Sequence, residues 1–158
     1  MSRHLLFVCT GNTCRSPLAE AMARALAAAR GLDLIVSSAG TSAWQGAPAS
    51  DASILVGLER KLDLSTHRAR VLTRELVEEA TLILGMAAHH VAAVRALGGE
   101  DKVFLLTDYA ANYATGRTIH DPFGEALESY RRMADDLDVE IPRVIGRLAG
   151  EQTTPGHP

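Results

Sequence analysis

Near the start of the chain, Cys9 and Arg15 flank a short polar segment that contains Gly11 and Asn12. An apolar run precedes this segment and an alanine-rich amphipathic stretch follows it, which predicts a strand, a tight loop and a helix in that order. Such a loop points consecutive backbone N–H groups inward at the positive end of a helix, so we expect it to hold an anion. The planar guanidinium of Arg15 matches phosphate oxygens, and a thiolate at Cys9 beneath a bound phosphoryl group would be a nucleophile aimed at phosphorus.

The elements that must position this loop are the strand before it and the helix after it. The run from Leu5 to Val8 shows no polar alternation, which predicts a strand buried on both faces at the centre of a parallel sheet. Pro17 suits the first position of the helix, where a missing N–H costs nothing, and Gly31 is expected to end that helix in a left-handed conformation.

Three further apolar runs alternate with segments of helical periodicity and lie at 34–36, 82–84 and 103–106. This order predicts the α/β class, with a single doubly wound domain over 1–150. We expect a four-stranded parallel sheet with helices on both faces and the phosphate-binding loop after the first strand, where ligands of such sheets bind. The segment 107–120 is expected to be a long loop, and 151–158 a flexible tail.

The composition limits the classes of partner. The net charge is −3 with both signs mixed along the chain, which gives no electrostatic argument for a nucleic acid or an anionic membrane. No apolar run approaches the ~20 residues of a membrane span, and the first residues show no signal-peptide pattern, so we expect a cytoplasmic protein. We also expect a monomer. Two cysteines within one loop are not a disulfide framework, and His89 and His90 are expected to face different sides of a helix, so no metal or other cofactor is predicted.

The ten residues VCTGNTCRSP, from Val8 to Pro17, resemble the phosphate-binding loop of the low-molecular-weight protein phosphatases. The family's C-x5-R-S pattern falls on Cys9, Arg15 and Ser16, and the likeness extends over about residues 4–149. The resemblance implies a cysteine-dependent protein phosphatase that forms a phosphocysteine intermediate and holds phosphate or another oxyanion in the loop. It makes Cys9 the nucleophile, Arg15 the clamp on the phosphoryl oxygens and Ser16 the group that stabilises the thiolate. The loop residues expected at the substrate are Thr10, Gly11, Asn12, Thr13, Cys14 and Ser16.

The leaving group of such a reaction needs a proton, since a tyrosine phenolate has a pKa of about 10 and the guanidine of an arginine leaves even less readily as an anion. Asp121 is the predicted donor, in the segment Asp-Pro-Phe-Gly, where Pro122 favours an extended backbone before it. The resemblance supports this choice, because an Asp-Pro-aromatic motif carries the family's general acid in the same C-terminal position. The phosphate dianion would keep Asp121 protonated for the first step, and Asp121 would then act as base on water. A helix N-cap or turn role for Asp121 is the alternative.

Three further residues have supporting roles in this scheme. Asn12 is the loop residue best suited to a left-handed conformation, and its side chain is expected to hold the loop open. The resemblance makes Ser38 and His67 hydrogen-bond partners of this asparagine, although His67 could equally be an ordinary loop histidine. Cys14 is either a small core residue or, as we favour, a partner that captures an oxidised Cys9 in a disulfide.

Thr13 is the most informative position for the substrate. Family members that act on phosphotyrosine generally carry a larger apolar residue there, whereas the branch that acts on phosphoarginine carries threonine in a loop spelled as in this chain. Phe123 after the Asp-Pro pair and the later Tyr130 also resemble the arginine branch. Trp44 points the other way, because phosphotyrosine enzymes often place an aromatic wall near that position. The resemblance therefore favours a protein-arginine phosphatase, with a protein-tyrosine phosphatase as the alternative.

Two activities outside the protein phosphatases are compatible with a similar loop. A thioredoxin-coupled arsenate reductase needs further cysteines to relay a disulfide, and the chain has only Cys9 and Cys14. A phosphocarrier module of sugar transport holds phosphate on a cysteine and passes it on without hydrolysis. Arg15 and Asp121 together argue for hydrolysis and so against a phosphocarrier. Turnover of an aryl phosphate without metal would distinguish hydrolysis from phosphate transfer.

Overall fold

A computed structural model describes residues 2–152. In chain order, the strands and helices are β1 Arg3–Cys9, α1 Arg15–Ala29, β2 Leu34–Gly40, α2 Asp51–Glu59, α3 Arg74–Glu79, β3 Leu82–Gly85, α4 Ala88–Ala96, β4 Val103–Leu105, α5 Leu106–Ala111 and α6 Leu127–Gln152. None of the helices within these residues has the length and apolarity needed to cross a membrane.

The four strands form one parallel sheet in the order β2-β1-β3-β4. The predicted four-stranded parallel sheet with a central first strand is therefore confirmed. Because the chain moves from β1 to β2 on one side and returns to β3 on the other, the loops after β1 and β3 separate at the point where the strand order reverses. Cys9 is paired with Gly40 of β2, and Val8 with Gly85 of β3, so three strand ends meet at the first loop.

Helices cover both faces of the sheet, as predicted. Leu5 and Phe7 of β1 belong to the cluster that includes buried residues of α1 and α6, whereas Leu6 and Val8 belong to the cluster with residues of α3 and α4. Alternate residues of a strand point to opposite faces, so β1 is buried on both of them. The absence of polar alternation in this strand thus has the expected cause.

Some boundaries differ from the sequence prediction. Helix α1 begins at Arg15, so Pro17 lies at the third helical position, while Gly31 has the expected positive φ of 65°. Strand β2 extends four residues beyond the apolar run, to Gly40, because its polar end is paired with β1. Helix α6 runs on to Gln152, and the rest of the predicted tail lies outside the described residues.

The predicted loop at 107–120 was wrong in its first part, where α5 extends to Ala111. The side chain of Asp108 accepts hydrogen bonds from the backbone N–H groups of Thr115 and Gly116, at 2.7 and 3.0 Å. This carboxylate folds the polar segment back on α5. The remainder then runs to Ile119, which is fully buried and leads to Asp121.

The end of β2 lies against the loop that follows β1. The backbone N–H of Thr41 donates to Cys9 O at 2.9 Å and holds the two segments together. A Cβ on Gly40 would lie 2.5 Å from Thr10 O and 2.9 Å from Asn12 N, distances at which the backbone would have to move. Glycine at position 40 is therefore required by the close approach of β2 to the loop.

We predict that Gly40→Ala displaces the loop backbone and lowers the affinity for inorganic phosphate, measured by titration calorimetry, by about tenfold or more, since misplacement by about 1 Å can cost 10²-fold at such sites. Gly146→Ala in α6 is the matched control, because its Cβ would lie at an ordinary 3.7 Å from Arg30 Nη1. Unchanged phosphate affinity in Gly40→Ala would contradict the requirement for glycine.

Candidate active site

A cavity of about 160 Å³ opens at the carboxyl end of β1. It is lined by Cys9, Thr10, Gly11, Thr13, Cys14, Arg15, Asp121 and Phe123. The fold thus brings the Asp-Pro-Phe segment, more than a hundred positions along the chain, to the loop that carries the cysteine. All eight lining residues are among those predicted from the sequence.

Cys9 lies at the end of β1, directly before the loop that enters α1, and is almost fully buried. Its sulfur lies 2.8 Å from Ser16 Oγ, on the first turn of α1. Because the positive end of the helix faces the loop, this position favours negative charge on the sulfur and on any group above it. The arrangement suits a thiolate beneath an oxyanion.

Asn12 holds the loop in shape through both its backbone and its side chain. Its φ of 56° is left-handed, and its side chain is fully buried. The amide Nδ2 donates to Ser16 Oγ at 2.8 Å and to Ser38 Oγ at 2.9 Å, while Oδ1 accepts from the backbone N–H of Arg70 at 2.9 Å. His67 Nε2 lies 2.7 Å from the backbone oxygen of Asn12. Ser38 and His67 therefore lie where the resemblance implied, one at the side chain and one at the backbone.

These hydrogen bonds have a direction. Ser16 Oγ accepts from Asn12, which leaves the hydrogen of the Ser16 hydroxyl free to point at the sulfur of Cys9. Ser38 also accepts a hydrogen bond from Asn12, and its own hydroxyl donates one to Glu20. Glu20 in turn forms an ion pair with Arg24 at 2.6 Å. Glu20 lies in α1 and extends a network that the sequence did not reveal.

Arg15 is only 3% exposed and faces the cavity from the base of α1. Its Nη1 donates to Ile119 O at 2.9 Å, and its Nη2 lies 3.6 Å from Asp121 Oδ2. Its Nε is buried and has no hydrogen-bond partner among the described residues. An oxyanion in the loop would supply acceptors for this guanidinium, whose planar fork matches two oxygens.

Asp121 lies at the mouth of the cavity, and its side chain is 48% exposed. Its Oδ1 accepts a hydrogen bond from the backbone N–H of Phe123 at 3.1 Å, while Oδ2 faces Arg15. One oxygen thus fixes the local turn and the other faces the cavity, so the predicted turn role and the predicted proton-transfer role are compatible. The ring of Phe123 is largely exposed at the rim.

Cys14 is buried against Tyr130 and Ser50, with its sulfur 3.6 Å from both hydroxyl oxygens. Burial raises the pKa of Tyr130 to about 12, so that this hydroxyl is neutral beside the cysteine. Cys9 and Cys14 are both free thiols in this structure. The capture of an oxidised Cys9 by Cys14 stays a prediction.

Trp44 is 85% exposed and does not line the cavity, so its predicted contact with substrate stays a prediction without support from this geometry.

His89 and His90 were expected on different sides of a helix. His90 is buried and His89 is exposed, but their ring centroids lie only 4.0 Å apart. Within residues 2–152 no group of three histidine, cysteine or acidic side chains could hold a metal ion.

Sequence reasoning did not single out Gly40, Glu20 and Arg70. Glycine at the end of a polar strand carries a signal only if the approach of another backbone is known. Glu20 and Arg70 act through contacts with residues far along the chain, which spacing does not show.

A cysteine at the positive end of a helix, with a buried guanidinium beside it and a carboxylate at the mouth, is the arrangement of the cysteine-dependent phosphatases. The sequence profile described as "Low molecular weight phosphotyrosine protein phosphatase" matches residues 4–153. The chain belongs to this family.

Similar proteins include both kinds of protein phosphatase considered above. A protein-arginine-phosphatase from Bacillus subtilis is 37% identical over 146 residues, which cover 91% of this chain and 95% of the relative. The low molecular weight protein-tyrosine-phosphatase Wzb of Salmonella typhi is 31% identical over 157 residues, which cover 98% of this chain and all of the relative. A mutant of the YwlE arginine phosphatase with a phosphorylated active-site serine superposes with a TM-score of 0.87 at 34% identity, covering 92% of this chain and 95% of that one.

We predict that Ser16→Ala slows the alkylation of Cys9 by iodoacetamide at pH 7 by about tenfold, since hydrogen bonds to charged groups contribute roughly 1.5–3 kcal/mol. Ser38→Ala is the control, because it removes the other acceptor of the Asn12 amide and leaves the contact between Ser16 and the sulfur in place. An equal loss in the two variants would mean that Ser16 acts through the loop rather than on the thiolate.

Proposed function

We propose that this chain is a protein-arginine phosphatase that works through a phosphocysteine intermediate. The observation that carries the proposal is that Cys9, Arg15 and Asp121 line one cavity. Asp121 Oδ2 lies 3.6 Å from Arg15 Nη2. The nucleophile, the anion clamp and the proton donor thus face one space. In the similar YwlE structure the phosphoryl group is carried by an active-site serine.

In the first step the Cys9 thiolate attacks phosphorus, an S–P bond forms, and the bond from phosphorus to the leaving group breaks. Arg15 and the backbone N–H groups of the loop hold the equatorial oxygens, where charge stabilisation has its largest effect on such transfers. Protonated Asp121 gives its proton to the departing nitrogen or oxygen, so the leaving group departs neutral. Its partly exposed place at the mouth suits a contact with the atom that leaves.

In the second step a water molecule attacks the phosphorus of phosphocysteine. Asp121, now ionised, takes a proton from that water as the new P–O bond forms and the S–P bond breaks. Inorganic phosphate is released, and the Cys9 thiolate and protonated Asp121 are regenerated. Ser16, with its hydrogen directed at the sulfur, stabilises the thiolate both as nucleophile and as leaving group. The cycle balances without an added oxidant, reductant or metal.

Arginine is favoured as the phosphorylated residue by the wall of the cavity. Thr13 lines it and is half-buried, so a short polar side chain stands where the substrate must enter. Phe123 is the one aromatic residue among those that line the cavity, since Trp44 lies away from it. A planar, polar guanidinium suits this space better than a phenyl ring does, because a phenyl ring would need an apolar wall on each side. The Bacillus subtilis relative is a protein-arginine-phosphatase, which agrees with this choice.

A protein-tyrosine phosphatase is the second candidate, because the Salmonella typhi relative has that activity in its name and matches 98% of this chain. A phosphocarrier is less well supported, since it would need no carboxylate at the mouth of the cavity. The cytoplasmic location, the monomeric state and the domain boundary at 150 stay predictions.

The test of this function is the turnover of a phosphoarginine peptide and a phosphotyrosine peptide of the same flanking sequence by one preparation, in buffer with a chelator. We expect hydrolysis of both with a higher kcat/KM for phosphoarginine. Cys9→Ser is the control and should lose turnover while it still binds inorganic phosphate, because the anion site survives the loss of the thiolate. Substantial turnover in Cys9→Ser would rule out phosphocysteine chemistry, and a preference for phosphotyrosine would make the second candidate correct.

We predict that Thr13→Ile moves the preference from phosphoarginine toward phosphotyrosine. Isoleucine replaces a polar wall by a larger apolar one, and a change of this size in a pocket shifts discrimination by roughly 1–3 kcal/mol, or about tenfold or more. The measurement is the ratio of kcat/KM for the two peptides, with Thr13→Ser as the control that keeps the hydroxyl. A ratio that does not move in Thr13→Ile would show that Thr13 does not set specificity.

A further inference from the structure

His90 lies near the start of α4, is fully buried, and has no part in the steps given above. It follows the end of β3 as Thr10 follows the end of β1, and these two strands are neighbours in the sheet. A Cβ on Gly85, the last residue of β3, would lie 3.1 Å from His90 Cβ. The strand end and the helix are thus packed closely enough to bring the imidazole to the phosphate-binding loop.

Both nitrogens of the His90 ring have partners, and together they fix the position of its hydrogen. The backbone N–H of Ala87 donates to Nδ1 at 3.0 Å, so Nδ1 must be the unprotonated nitrogen. Burial lowers the pKa of His90 to about 3, and the nearby Arg15 and His89 act in the same direction, so the ring is neutral at ordinary pH. The hydrogen therefore lies on Nε2, which donates to Thr10 Oγ1 at 2.9 Å.

The Thr10 hydroxyl thus accepts from the imidazole, and its own hydrogen is left to be donated elsewhere. The side chain of Thr10 is half-buried and lines the cavity above Cys9. A group that fills this cavity with oxygen atoms offers acceptors, and hydrogen bonds that share one direction strengthen each other in a buried site.

We propose that His90 is a positioning residue of the active site, which orients the Thr10 hydroxyl as a hydrogen-bond donor to the phosphoryl group held above Cys9. Each group donates to the next: the N–H of Ala87 to the His90 ring, the ring to the Thr10 hydroxyl, and the hydroxyl to an oxygen of the anion. His90 moves no proton in this role. The proposal rests on the function proposed above, but its effect on anion binding can be measured without turnover.

Two variants separate the two hydrogen bonds of the ring. His90→Asn places an amide oxygen near the position of Nδ1, which keeps the bond from Ala87 but does not reach Thr10. His90→Gln places an amide nitrogen near the position of Nε2, which keeps the donor to Thr10. If His90 served only to cap α4, the asparagine variant would be the better enzyme. If it positions Thr10, the glutamine variant would be.

We expect His90→Asn to lower kcat/KM and the affinity for inorganic phosphate by about tenfold each, as for the loss of one hydrogen bond. His90→Gln should retain most of both. The two variants are compared with the wild type by turnover of an aryl phosphate, by titration calorimetry with inorganic phosphate, and by thermal unfolding. Equal losses in the two variants, or a smaller loss in His90→Asn, would overturn the proposal.

Thr10→Val removes the hydroxyl at constant shape and completes a double-mutant cycle. In that background His90→Asn should cause little further loss of phosphate affinity, since the group that it orients is gone. Losses that add in full would show that His90 acts on the loop by another route. The pH profile of kcat/KM should keep its shape in His90→Gln, whereas the loss of one limb would mean that the imidazole transfers protons.

A failure of the proposed function would look different. If the wild type bound inorganic phosphate and the His90 variants ranked as expected, but no phosphopeptide was hydrolysed, the positioning role would stand and the assigned reaction would fall. If peptides were hydrolysed and the two variants behaved alike in both assays, the reaction would stand and the role of His90 would fall.

Discussion

The hydrogen bonds of Asn12 are the constraint on which the phosphate-binding loop depends. Its backbone takes the left-handed conformation that turns the loop, and its amide contacts Ser16, Ser38 and the backbone of Arg70 at once. An aspartate could take the same backbone conformation but could not donate to the two serines. Because the side chain is fully buried, each unmade bond would cost the desolvation of a polar group, so these bonds favour the one loop conformation in which all of them form.

The ends of three strands, β1, β2 and β3, meet at the loop. Gly40 allows the end of β2 to contact the loop backbone, and Gly85 allows α4 to pack closely against the end of β3. Parallel strands place their carboxyl ends at the same edge, so residues from separate segments reach Cys9 from different sides. Ser16 accepts a hydrogen bond from Asn12 and has its own hydrogen left for the sulfur of Cys9. Thr10 accepts from His90 and has its own hydrogen left for the cavity. The site is thus prepared for negative charge before a ligand enters.

This preparation has a cost in stability. Arg15 is buried at the positive end of a helix, with one donor unpaired among the described residues and a carboxylate 3.6 Å away. A buried cation stabilises a fold only when its donors and charge are matched, so an oxyanion in the loop should stabilise the protein as well as occupy its site. The proposed function, rather than stability, accounts for an arginine at this position.

The sequence alone determined the α/β class, the central strand, the loop and the candidate nucleophile. Each of these is encoded locally, by an apolar run without alternation, by a change from strand to helix periodicity, and by a ten-residue string that resembles the loop of the family. The choice of Asp121 also came from the sequence, through its Asp-Pro context. Only the tertiary structure could show that Asp121 faces Arg15, that Trp44 lies away from the cavity, and that a histidine after β3 contacts Thr10. Such contacts join residues that lie tens of positions apart, and their distances depend on how strands and helices pack, which spacing along a chain does not specify.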